Sequence, residues 1–108
     1  MVKANQEKTD EEVMLLADIK NYLDITYEDE DTDKKLLGIM RRGMERLDTI
    51  AGTTYDYSEE GARRGLLLDY CRYAMCNQTE AFETNYGPEL LGLAMEGEVS
   101  VYAGTEGY

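Results

Sequence analysis

Five carboxylates occupy six consecutive positions in Glu28-Asp29-Glu30-Asp31-Thr32-Asp33, and the chain then turns at once to Lys34-Lys35-Leu36-Leu37. Oxygen donors packed this densely could chelate a hard cation. A calcium loop of the EF-hand type takes ligands at its first, third and fifth positions, glycine at the sixth and a bidentate glutamate at the twelfth. Counted from Asp29, residues Asp29, Asp31 and Asp33 meet the first three requirements. The sixth position is Lys34, whose ammonium opposes the ion, and the twelfth is Met40, which cannot chelate it. The run therefore reads as a helix start, where carboxylates beside exposed backbone N–H groups are stabilising without a metal. No metal and no other cofactor is expected.

Acid–base work could draw on Asp24, Asp48 or Asp69, but each reads as exposed or locally bonded, with no apolar pocket to raise its pKa. The chain has no histidine, so a Ser–His or Cys–His pair cannot form within it. The stretch from Gly43 to Gly52, GMERLDTIAG, lacks the lysine of a phosphate-binding loop. Cys71 and Cys76 lie five apart on one expected helix, pointing to different faces and too far apart for a disulfide. Small buried hydrophobes is the reading for both. No catalytic residue is assigned, and enzyme activity is not expected.

Arginines are the other candidates. Arg41, Arg42 and Arg46, with Arg63 and Arg64, resemble nucleic-acid patches, but Glu45 lies among them and the net charge is −12. A chain this acidic gains nothing from free phosphate backbones. Two readings remain: a solvated helix face with ion pairs, or contacts with the acidic leader of a neighbouring subunit. Nine tyrosines stand against one phenylalanine and no tryptophan. Rings with a polar tip suit core edges and interfaces, Tyr102 and Tyr108 in the tail included.

The elements that must position these residues are helical. Apolar residues make up 43% of 108, and Pro88 is the single proline. A first amphipathic helix is expected over 12–23, with Val13, Leu16, Ile19, Lys20 and Leu23 near one face and Leu15 and Tyr22 beside it. The strongest periodicity runs from Thr32 to Ile50, about 28 Å of helix. It places Leu36, Met40, Met44, Leu47 and Ile50 in one stripe widened by Leu37 and Ile39, with Asp31 or Thr32 as cap and Gly52 as stop. Gly38 and Gly43 within it suggest close approach of another backbone, each costing about 1 kcal/mol relative to alanine. Ser58 starts a long helix over 59–83 whose face holds Ala62, Leu66, Tyr70, Tyr73, Ala74 and Asn77, with Leu67 and Met75 alongside. A short last helix follows Gly87-Pro88 to Met95. Beyond it, Val99 and Val101 alternate with polar residues as a brief strand or a segment completed by a neighbour.

These features define an all-α bundle of about four helices, two long and central, over residues 12–95. A flexible leader (1–11) and a C-terminal tail (96–108) flank it, the tail being the expected partner-docking segment. The expected core is Leu16, Ile19, Leu23, Leu36, Leu37, Met40, Met44, Leu47, Ile50, Leu66, Leu67, Tyr70, Tyr73 and Ala74. Interface candidates are Gly38, Arg41, Arg42, Arg46, Arg63, Arg64, Val99, Val101 and Tyr102. Charge is segregated: residues 1–33 carry eleven acids and three lysines, 34–82 seven acids and eight bases, and 83–108 five acids and no base. Such a division suits assembly with other subunits or a basic partner. No apolar run reaches the ~20 residues of a membrane span. The polar N-terminus is unlike a secretory signal, which points to the cytosol.

The order of features resembles the small head–tail connector proteins of long-tailed bacteriophages and prophages. LADIKNYLDI, an acidic loop, DTDKKLLGIMRRGMERLDTIAG and a long helix carry the likeness across residues 13–82, through Ile19, Tyr22, Leu23, Asp33, Leu36, Leu37, Ile50 and Gly52. The resemblance implies a ring, usually twelve-fold, beneath the portal protein at the capsid vertex. It also implies a downstream neck or tail-completion partner and packaged DNA passing through the channel without sequence-specific binding. The setting it implies is the virion neck, with the host cytoplasm during assembly. The alternatives are a small acidic regulator or DNA mimic acting on a basic host partner and, more weakly, a metal-binding helical module.

Overall fold

A computed structural model describes residues 9–105, with side chains from residue 9 to residue 96. Five helices and no strand occur among the described residues: α1 (Asp10–Tyr22), α2 (Glu30–Ala51), α3 (Ala62–Met75), α4 (Thr79–Asn85) and α5 (Gly87–Thr105). The fold is all-α. Helix α2 is its axis, contacting α1, α3 and α5 in turn, while α4 links α3 to α5.

Local chemistry explains where each rod begins and ends. Helix α1 starts two residues before the expected position, at a full capping box: Thr9 Oγ1 accepts from the Glu12 N–H, and the Glu12 carboxylate accepts from the Thr9 N–H. It ends with Asp24 in the left-handed region at φ 61°, where the Ile25 N–H reaches back to the Lys20 carbonyl at 2.8 Å. That is a Schellman closure made without glycine. In α2 the cap is Asp29, not Asp31 or Thr32. Its carboxylate accepts from both the Thr32 N–H (3.0 Å) and the Thr32 hydroxyl (2.6 Å). Gly52, at φ 74°, stops α2 as expected.

The long helix expected over 59–83 is two helices. Ser58 does not start it, because its N–H and hydroxyl both donate to Asp56 within a turn. The chain becomes helical only at Ala62, which is exposed. Asn77 takes φ 58°, and the Gln78 and Asn77 N–H groups close on Tyr73 and Ala74. This is the same closure as at Asp24, and α4 leaves in a new direction. The stretch around Val99 and Val101, expected as a brief strand or a segment completed by a neighbour, is helical: α5 runs through Val99, Val101 and Tyr102 to Thr105. Residues 1–8 of the leader, and Tyr108, lie outside the described residues.

The core runs along α2. Leu36, Met40 and Leu47 are fully enclosed and pack with Ile19, Leu67 and Phe82, while Leu16, Leu37, Leu66, Tyr70 and Ala74 complete the buried set drawn from the expected positions. Leu23, Met44, Ile50 and Tyr73 are half-buried against it. Leu15, Ile39, Ala51, Tyr57, Cys71, Phe82, Leu90 and Leu93 join them. Val13 is half exposed at 48%, since Leu15 occupies the inward position. Gly43 has a clear reason to be glycine: a Cβ there would stand 2.6 Å from the Tyr70 ring and 2.8 Å from Leu67. The close neighbours are side chains of α3 rather than another backbone. Gly38 has no such constraint, its nearest neighbour being the Arg42 guanidinium at 3.5 Å.

Candidate interaction surfaces

The acidic run is taken up in helix architecture. Asp29 caps α2, and the two hydrogen bonds from Thr32 hold its carboxyl below the usual range. Asp33 lies 3.0 Å from Lys20 of α1, which also faces Glu28 at 3.7 Å. No group of three or more His, Cys, Asp or Glu side chains is set to hold a metal among the described residues.

Four of the five candidate arginines are engaged inside the chain. Arg41 of α2 grips Glu12 of α1 through two bonds of 2.8 Å, and this guanidinium holds the Glu12 carboxyl below its usual range. Arg46 of α2 meets Glu83 of α4 in the same bidentate fashion at 2.9 Å and depresses that carboxyl likewise. Arg64 of α3 reaches Asp18 of α1 at 2.8 Å and the Tyr57 carbonyl at 2.9 Å. Such planar forks fix orientation as well as charge. Arg42 is exposed and makes no ion pair among the described residues.

Arg63 is the deepest of the set, 9% exposed. It donates to Asp48 Oδ1 at 2.9 Å and to the Thr53 carbonyl, and lies 5.1 Å from the centre of the Tyr55 ring. Tyr57 donates to the same Asp48 oxygen at 2.8 Å, and burial raises its phenol. Asp48 is thus a long-range hub, not a locally bonded surface acid. Asp69 plays a similar part, accepting from Tyr22 of α1 with Arg72 at 3.7 Å. These clusters bind helices together. Cys71 is buried, and desolvation pushes its thiol up to about 12. Cys76 is exposed, contrary to the expectation of two buried thiols, because it sits at the α3 cap.

Exposed apolar side chains stand on the two outer helices. Val13 and Met14 of α1 are 48% and 67% exposed, and Leu91 and Met95 of α5 are 62% and 57% exposed. Leu90 and Leu93 already supply the inward side of α5, so Leu91 and Met95, one turn apart, form a second apolar side. Composition hides this, because an outward leucine and an inward one read alike. Val99, Val101 and Tyr102 continue α5, and their side chains lie outside the described residues. No helix among the described residues is long and apolar enough to cross a membrane. Comparison with protein-family models, curated proteins and solved structures finds no match to this chain.

Proposed function

We propose that this chain is a structural virion-assembly protein, a head–tail connector whose copies form a ring under a portal protein and help retain packaged DNA. The observation that carries the reading is the pair of apolar faces on α1 (Val13, Met14) and α5 (Leu91, Met95). Both helices pack on α2 yet share no extensive contact with each other. Two different patches on one subunit are what head-to-tail contacts require, and such contacts form a ring where the rotation from subunit to subunit closes. The likeness of residues 13–82 to phage connectors supports the ring's position, its twelve-fold order and its tail-side partner. In the virion, DNA would pass through the channel without sequence-specific contact, the strongly acidic chain offering it no purchase.

Electron microscopy of the protein mixed with portal particles tests this. Ring density on the portal is expected, and Leu91→Glu with Met95→Glu should remove it while circular dichroism stays unchanged. Bare portals with the parent chain would overturn the reading. A second reading, an acidic regulator or DNA mimic, draws support from the exposed carboxylates Glu28, Asp29, Glu30 and Asp31 at the head of α2. It predicts a monomer or dimer that ignores portals and binds a basic host protein.

A further inference from the structure

Helices α3 and α5 both lie against α2, and between them opens a cleft of about 690 Å³. Leu66 and Leu93, the most buried of its apolar lining, form its base. Each wall carries a glycine, Gly65 on α3 and Gly92 on α5, and a Cβ at either would meet nothing within 4 Å. Glycine walls around an apolar base let another backbone come close.

The charge around the cleft is one-sided. Arg63 in its wall is neutralised by Asp48, and Asp69 by Arg72 at 3.7 Å. Glu89 and Glu96 remain, both exposed and both without an ion pair among the described residues.

We propose that this cleft is a docking groove for an amphipathic helix of a partner protein, with apolar side chains on the seated face and Lys or Arg along its edges. The apolar face meets Leu66 and Leu93, and the cations meet Glu89 and Glu96. A second copy of this chain fits poorly. Four of its five candidate arginines are consumed internally, Arg42 lies on a helix that also carries Glu45, and Lys34 and Lys35 directly follow the five carboxylates of 28–33. The proposal extends the connector reading, on which the identification of that partner as a neighbouring virion protein rests.

The test is a titration of the isotope-labelled full chain, followed by amide NMR shifts, with a synthetic helix bearing Leu at i, i+3/i+4 and i+7 and lysines along both edges. Saturable shifts centred on Gly65, Gly92 and Glu96 are expected. Glu89→Lys with Glu96→Lys should weaken binding at least about tenfold at low salt. Gly92→Leu, whose Cβ meets open space and whose side chain would occupy the groove, should abolish it. Absence of saturable binding, equal binding of a glutamate-edged helix or unchanged binding by Gly92→Leu would each overturn the assignment. Concentration-dependent shifts at the cleft without any peptide would overturn it in favour of self-association. Loss of the groove with rings still forming on portals would leave the connector reading standing, and the reverse result would remove that reading alone.

Discussion

The two flanks of α2 are held by different chemistry. On one side, α1 and α3 are tied by three arginine–carboxylate pairs, Arg41–Glu12, Arg64–Asp18 and Arg63–Asp48. On the other side, α4 settles on rings. Phe82 is fully buried, edge-on to Tyr70 at 5.4 Å and to Tyr73 at 5.8 Å, and stacked on Tyr86 at 4.8 Å. Arg46–Glu83 is the ionic tie that accompanies it. Charged forks fix the angle of a helix and depend on protonation and salt. Buried rings contribute more free energy, with little dependence on either. The flank that leads into α5, with its outward Leu91 and Met95, thus has the less condition-sensitive anchor.

Breaking the aromatic flank should have the largest effect. Phe82→Ala is expected to cost about 3–5 kcal/mol in chemical denaturation, because it leaves a cavity among three rings. Amide exchange should quicken in α4 and the start of α5 before it does in α1. Next comes the deepest ionic contact. Arg63→Met roughly keeps the volume but removes the cation beside Asp48, leaving it the Tyr57 hydroxyl alone, and takes the arginine donor from the Thr53 carbonyl. A buried pair broken from one side costs about 3–5 kcal/mol, and partial exposure of Asp48 at 28% reduces the expectation to about 2–3. Met at 63 matching the parent in denaturant midpoint would show that this flank, too, is held by packing. Smaller again is the α3–α4 corner, where Asn77→Val puts a β-branched residue at φ 58° and should cost about 1–2 kcal/mol, while Asn77→Gly should be neutral or stabilising.

That corner also marks how far the fold can be read in advance. Helix α2 was legible to within two residues because its signals are local: a long apolar period, acids at one end, glycine at the other. The α3–α4 break was not, since its left-handed residue is Asn77 rather than a glycine and the apolar period continues on both sides. The Val99–Val101 alternation pointed to a strand, but four residues of pattern yield to a helix already propagating from Gly87. The arginines were conspicuous by charge. Their partners were not, since Arg64 and Asp18 stand 46 positions apart and Arg46 and Glu83 stand 37 apart. Sequence spacing identifies neighbours on one helix, and these contacts lie between helices. The outward face of α5 needs the same knowledge, namely which side the core has already claimed.

The smallest expected effect sharpens the comparison through pH. Arg41 holds the Glu12 carboxyl below its ordinary 4.5, so the contact stabilises α1 fully above that value and is lost as pH falls through the lower folded one. Glu11 runs the other way. Its hydrogen bond with Asp56 raises its pKa, so its contribution is present in acid and fades as pH rises through the raised value. Glu12→Gln should therefore cost no more than about 1 kcal/mol at neutral pH, the pair being partly exposed. It should also flatten the acid-side loss of α1 amide protection seen in the parent. Protection of the α3 core around Leu67 and Cys71, which touches neither acid, should be the same in both proteins over that range. If parent and Glu12→Gln lose α1 protection in parallel below pH 4.5, a carboxylate other than Glu12 sets the acid sensitivity of this helix, and the arginine fork matters less to this flank than its contacts imply.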